Sequence, residues 1–337
     1  MKILFYFCLI LFCIKSINGA CTQYQCLNSG DGCTRKGTYC PPGTYCEITF
    51  DNPLCTESKK IFDSCSYQAQ CDSGLVCYNE GDDQYCANIK YKGQGESCKK
   101  DIECSDSMSC TNKTCTYSGT SCKAYTCKTG QFCNSQKTCQ SFFADGTQCT
   151  KDLECKPNSR CIVTSNAKIS KCTSINSLGA GLPCNSADSC DIGLNLVCFQ
   201  GYCSEYKSAF DSNSTCSDNT QCISDKAQCI CDSVKVPTGP GTCQEIYSIG
   251  STCKKDKLNY YNCIAESNCP LQVTNKNSNE TCISKKCGDL KCKYEVSCVN
   301  SDYQCGKGPV CSDSSFLKHS SLLFLLSLII SMVVILI

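Results

Sequence analysis

Histidine occurs once in the chain, at His319, tryptophan not at all, and arginine only at Arg35 and Arg160. A Ser-His-Asp or Cys-His nucleophile therefore has no base to draw on in residues 1–318, which argues against an enzyme of that type. With 32 Lys+Arg against 31 Asp+Glu and so few arginines, the chain has no charge surplus for nucleic acid, and none is expected as a partner. The G-x-G-x-x-G and P-loop patterns are missing, and so is the D-x-D-x-D-G calcium loop. Between the two ends the aliphatic residues are scattered, as at Leu75, Val76, Ile102 and Leu153. Such a chain holds no oily interior of ordinary size, nor the rigid cleft that a pair of catalytic carboxylates needs.

Cysteine fills the gap. There are 42 in 337 residues, about one in eight, above the 8–10% that marks a disulfide scaffold. A reducing compartment would not keep so many thiols inert, so the density points to the secretory route. Metal ligation is the other use of clustered cysteine. It favours C-x-x-C-like spacing, because two thiolates must reach one ion from a tight turn. C-x-x-C is absent, and the closest pair is Cys229-Ile230-Cys231. Disulfides are therefore expected, with neither a metal nor another cofactor, and thioredoxin-like redox chemistry lacks its motif.

The ends carry their own signals. Residues 1–19 have Lys2, then an apolar run from Ile3 to Ile14, then small and polar residues, the pattern of a secretory signal peptide cut after Gly19 or Ala20. The apolar run is too short to span a bilayer. At the other end, 312–337 joins small residues (Ser312 to Ser315), a polar spacer with Lys318 and His319, and an apolar tail from Leu322 to Ile337 with no basic residue after it. This is the order of a glycosylphosphatidylinositol (GPI) attachment signal, with Ser312 as the expected lipidation residue. The alternative is a tail helix kept in the membrane. Removal of the signal peptide takes Cys8 and Cys13 with it and leaves an even number of cysteines, which suits complete pairing.

A start motif recurs at intervals of 24 to 37 residues: Phe62-Asp-Ser-Cys65, Gly95-Glu-Ser-Cys98, Gly119-Thr-Ser-Cys122, Gly146-Thr-Gln-Cys149, Gly181-Leu-Pro-Cys184, Asn213-Ser-Thr-Cys216 and Gly250-Ser-Thr-Cys253. Three further cysteines complete the clearest units: Cys65, Cys71, Cys77, Cys86; Cys98, Cys104, Cys110, Cys115; Cys149, Cys155, Cys161, Cys172; and Cys184, Cys190, Cys198, Cys203. An aromatic often precedes the start, as at Tyr91, Tyr117, Phe143, Phe210 and Tyr247. Lys100-Asp-Ile-Glu-Cys104 also matches Lys151-Asp-Leu-Glu-Cys155. The leading glycine suits a turn with positive φ. Asp72 and Asp191, each just after a cysteine, suit Asx-turns rather than calcium ligation.

The pattern G-x-x-C-x5-C-x-x-G-L-x-C followed by a fourth cysteine resembles the N-terminal cysteine-rich region of Dickkopf-type secreted proteins, and similar arrays occur in protist surface proteins. The resemblance runs from about Phe62 to Cys282, is strongest at Cys65–Cys86 and Cys184–Cys203, and weakens at Cys122–Cys139 and Cys253–Cys282. It implies a fold style and an extracellular setting.

The expected fold is small and disulfide-rich: an elongated tandem array of short β-ribbon and turn units with little helix, plus an N-terminal signal helix and a C-terminal hydrophobic helix. The expected divisions are a signal peptide at 1–19, an N-terminal cap at 20–61, repeats over 62–281, a C-terminal cap at 282–311 and the anchor signal at 312–337. Within a unit, four cysteines permit three pairings, of which first-with-third and second-with-fourth is favoured. Asn112, Asn213 and Asn279 head N-glycosylation sequons, each ending one residue before a cysteine. Lys254-Lys255-Asp256-Lys257, the densest basic patch, reads as a solvated loop. These features favour a non-enzymatic GPI-anchored surface glycoprotein on the outer face of the plasma membrane, of the coat, adhesion or antigen kind, with a protein or glycan ligand. A tethered binding module is the alternative, such as a protease inhibitor offering Arg35 or Arg160 as bait.

Overall fold

The computed structural model describes residues 25–26, 29–33, 38–41, 43–48, 52–163, 169–206, 215–216, 227–231, 241–245 and 248–298. The expected signal helix and C-terminal hydrophobic helix, with Arg35, Asn213 and Ser312, lie outside them. Among the described residues six cysteine units follow one another, each closing on a two-stranded antiparallel ribbon. The first spans Cys33–Cys55, the second Cys65–Cys86, the third Cys98–Cys115, the fourth Cys122–Cys139, the fifth Cys149–Cys172 and the sixth Cys184–Cys203. In every unit the first cysteine joins the third and the second joins the fourth, as in Cys65–Cys77 with Cys71–Cys86 and Cys98–Cys110 with Cys104–Cys115. The same order gives Cys149–Cys161 with Cys155–Cys172 and Cys184–Cys198 with Cys190–Cys203.

The pairing follows from the ribbon. Its register sets the third cysteine opposite the fourth, Cys77 against Cys86 and Cys161 against Cys172, so both point to one face. There they meet the first two cysteines, and the bridges pack sulfur on sulfur. The Sγ atoms of Cys149, Cys155 and Cys172 lie within 4.8 Å of one another. That buried cluster is the core of the unit, with Phe143, one of the recurring aromatics, laid against it; Tyr117 does the same in the third unit. Each bridge closes a loop of 11 to 17 residues, worth about 3 kcal/mol against the unfolded chain.

Polar side chains at repeated positions complete the frame. The carboxylates of Asp101 and Asp152 accept from the backbone N–H of Cys110 (2.6 Å) and Cys161 (2.7 Å), and Gln68 does so from Cys77 (3.0 Å). This explains the matching Lys-Asp-x-Glu-Cys segments: they tie a short 3-10 turn to the ribbon. Asp191 makes the Asx-turn, accepting from Gly193 N–H at 2.9 Å. The leading glycine donates its N–H to the fourth cysteine's carbonyl, Gly95 to Cys115 at 2.9 Å and Gly181 to Cys203 at 2.7 Å. It adopts a φ of 76–88° in four units (Gly30, Gly95, Gly146 and Gly181).

Two parts of the chain differ from the sequence expectation. The lead-in, assigned to a cap, contains a full unit: Cys33–Cys46 and Cys40–Cys55 repeat the pairing, and Gly30 donates to Cys55. Its spacing between the first two cysteines is one residue longer than in the second unit, which hides it from a fixed-spacing search. The second difference begins at Gly250. In place of a ribbon there is a helical hairpin, α1 (Ser251–Glu266) and α2 (Cys282–Cys298). No glycine or proline interrupts α1, and its Lys, Leu, Ala and Glu residues favour helix. Cys253–Cys298 and Cys263–Cys287 staple the helices antiparallel, ten residues apart on α1 and eleven on α2, nearly equal rises of about 15–16 Å. Cys269–Cys282 draws in the connection, and Thr281 caps α2 by accepting from Ser284 N–H at 3.1 Å.

The hairpin lies along the array. Lys254 reaches Asp191 at 2.6 Å and Lys257 reaches Asp188 at 2.6 Å, both in the sixth unit. Asn158 of the fifth unit donates to Asn262 at 2.9 Å. Far back in sequence, the connection binds the second and third units: Asn275 donates to the carbonyls of Gly74 (2.9 Å) and Ile89 (3.1 Å), and Thr274 and Ser105 bond at 3.1 Å. The basic patch at Lys254–Lys257 is therefore helical and part of this seam, not a solvated loop. Between the sixth unit and the hairpin, strands Thr215–Cys216, Ala227–Cys231 and Gly241–Glu245 form a three-stranded sheet.

Candidate functional site

The cysteine face of each ribbon is spent on the core, so only the opposite face is available to another molecule. Nearest the turn, that face carries Thr111 opposite Thr114 in the third unit and Phe199 opposite Tyr202 in the sixth, whereas in the fifth Ile162, opposite Lys171, is itself fully buried. The second unit differs from these. Tyr78 stands opposite Tyr85 with rings 6.0 Å apart, edge to face, and Glu80 stands opposite Asp83. Phe62 adds a third ring 6.3 Å from Tyr85. The Tyr85 hydroxyl donates to Glu80, and that hydrogen bond, with desolvation, pushes the phenol up to about 12.

Phe62 occupies the position that is glycine in the units beginning at Gly30, Gly95, Gly146 and Gly181. It adopts the same left-handed backbone, φ 72°, and donates its N–H to Cys86 at 2.8 Å in the same way. A bulky residue is strained there. Phe62 is nonetheless 75% exposed, the highest value among the large apolar residues described. The recurring start motif held this departure in plain view, since only this described unit opens on a large side chain.

A second polar cluster lies under the hairpin. Asp188 takes Lys257 on one oxygen and Arg160 Nε on the other, at 2.6 and 3.1 Å, and the Arg160 guanidinium sits 5.0 Å from the centre of the Tyr261 ring. The Lys257 side chain is only 4% exposed. Burial pushes the Tyr261 hydroxyl up. Arg160 is thus a strand residue held under a helix, which corrects its reading as bait on a loop tip. The cluster joins elements of the fold, and its groups are already engaged with one another.

The sixteen cysteines that define the clearest repeats all sit in bridges in the unit cores. Asn112 is exposed at the turn of the third ribbon, where Asn112 and Lys113 both have positive φ (51° and 61°). Asn279 is exposed on the connection just before α2. No helix among the described residues is long and apolar enough to cross a membrane.

The described residues therefore form a series of disulfide-cored ribbons whose non-cysteine faces vary from unit to unit. Residues 36–82 match the Dickkopf N-terminal cysteine-rich region, a stretch from within the first unit to the turn of the second. Over 290 residues the chain is 26% identical to the cell-cell adhesion glycoprotein 64 of Heterostelium pallidum, covering 82% of this chain and 86% of that protein. No solved structure matches the chain.

Proposed function

We propose that the chain is a non-enzymatic cell-surface adhesion glycoprotein. It is delivered by its signal peptide, held on the outer leaflet by a GPI anchor at Ser312, and glycosylated at Asn112, Asn213 and Asn279. The observation that carries this reading is the likeness, over most of both chains, to a protein named for cell-cell adhesion. The architecture supports it. Closely spaced bridges leave few long segments for a protease, and the hairpin ties the second, third, fifth and sixth units into a stiff support. Adhesion needs such a support, because a partner surface presented on a mobile chain must be ordered at the moment of binding.

The test is display of the full chain on non-adhesive cells. Aggregation above that of untransfected cells is expected. Treatment with phosphatidylinositol-specific phospholipase C should release the protein and disperse the aggregates. Dispersal without release, or cells that never aggregate, would end the reading.

A further inference from the structure

We propose that the outer face of the second ribbon, formed by Phe62, Tyr78, Tyr85, Glu80 and Asp83, binds the lysine-bearing face of α2 on a second copy of this chain. The inference rests on the adhesion reading above and names the partner within it.

Two local penalties meet on this one ribbon. Phe62 stands in a left-handed backbone position where four other units have glycine, with its ring turned out to solvent. Glu80 and Asp83 face each other directly across the strands, an arrangement of like charges that weakens a ribbon. Asp82 adds a third carboxylate at the turn, and no basic residue lies between Leu75 and Ala87. Neither penalty is needed to close the unit, since the other ribbons close without them. Strain kept in one copy of a repeated element points to use at that place.

The chemistry of the face selects a cation. Aromatic ring faces carry negative potential and attract ammonium groups, more strongly as water leaves. The carboxylates beside them supply formal charge, and a bound ammonium removes the Glu80–Asp83 repulsion. The same chain carries the complement: α2 exposes Lys285, Lys286, Lys291 and Lys293; Lys285 meets Glu280, Lys286 the Ser267 carbonyl and Lys291 Glu295, all exposed contacts of small worth that a partner carboxylate can replace. Lys286 and Lys293 are two turns apart and share a helix face, with Asp289 between them. The two surfaces are different patches, so the contact is heterologous and can propagate between opposed layers of molecules rather than closing into a dimer.

The experiment uses full-length chain displayed on non-adhesive cells, with surface level measured by antibody. Phe62→Gly should reduce aggregation as a loss of about tenfold in affinity. The purified variant should melt no lower than wild type, because glycine suits the backbone there. Glu80→Lys/Asp83→Lys cells and Lys286→Glu/Lys293→Glu cells should each fail to aggregate with themselves. Mixed together they should aggregate, because the unaltered acidic ribbon of the helix variant meets the unaltered lysine-bearing helix of the ribbon variant. Homotypic aggregation that survives these changes at wild-type strength overturns the proposal while leaving adhesion standing. Loss in each variant without recovery on mixing assigns the ribbon to another partner, such as a glycan, and also overturns it. Wild-type cells that do not aggregate overturn both readings together.

Discussion

In the ribbon units each bridge closes a loop of 11 to 17 residues, whereas Cys253–Cys298 closes one of 45. The contacts around them differ in the same sense. A ribbon unit is built from its own four cysteines, with a 3-10 turn of its own in the second, third, fifth and sixth. The hairpin meets residues up to 201 positions away, as between Asn275 and Gly74. The ribbons therefore carry local stability, and the hairpin decides whether they behave as separate beads or as one body. The same covalent chemistry serves both ends. In a ribbon it replaces a core, while in the hairpin it sets two helices parallel enough to lie across several units.

Replacing Cys253 and Cys298 by serine should give the largest effect on this contrast, about 4 kcal/mol by loop-closure entropy. Hydrogen exchange should then rise in the hairpin and along its seam with the sixth unit. Serine at Cys98 and Cys110 should loosen the third unit alone. Equal spread of exchange from both variants would erase the distinction. Next comes Asp188→Asn, which leaves Lys257 and Arg160 under the hairpin without their shared carboxylate; about 3 kcal/mol of hairpin docking should be lost, measured by urea denaturation. Gly74→Ala follows. A methyl there would stand 2.6 Å from the Asn277 carbonyl oxygen, whereas at Gly81, also left-handed, it would meet nothing within 4 Å. Alanine at Gly74 should therefore cost about 1–2 kcal/mol more than at Gly81, read as a difference in melting temperature.

Acid gives the smallest effect. The hydrogen bond and charge of Lys90, 2.7 Å away, hold the Asp106 carboxyl below its ordinary value. Its folded pKa lies under its unfolded one, so its contribution is present above about pH 4 and is lost as pH falls through the folded value. The backbone N–H of Asp106 also donates to the Thr274 hydroxyl of the connection at 2.9 Å. Protection of the Asp106 amide should fall below pH 4 before the unit cores change. Simultaneous loss throughout the third unit would show that the seam and the ribbon are not separable there.

Much of a unit was legible in the residues. The recurring Gly-x-x-Cys start marks a left-handed turn that only glycine enters without strain, and Asp101 and Asp152 recur because their carboxylates hold a cysteine N–H. The first unit escaped because one added residue between Cys33 and Cys40 shifts its frame. Of the candidate surface, Phe62 was visible as a departure from glycine, but its exposure was not, because exposure depends on where the ring goes after the ribbon closes. The glycine-led start at Gly250 pointed to a ribbon, and the helix there shows that a short motif cannot outweigh a following run of helix-favouring residues.

The amino-acid order by itself determined that sulfur would stand in for an apolar interior, and where the second to sixth units would begin, because bridges over short loops and backbone hydrogen bonds within a unit involve only near neighbours. Only the folded molecule decided that Asn275 would meet Gly74, that Lys257 would be buried against Asp188, and that three rings and two carboxylates would share one open face. Such meetings depend on how whole units stack, and no spacing along the chain encodes a distance between surfaces that are brought together last.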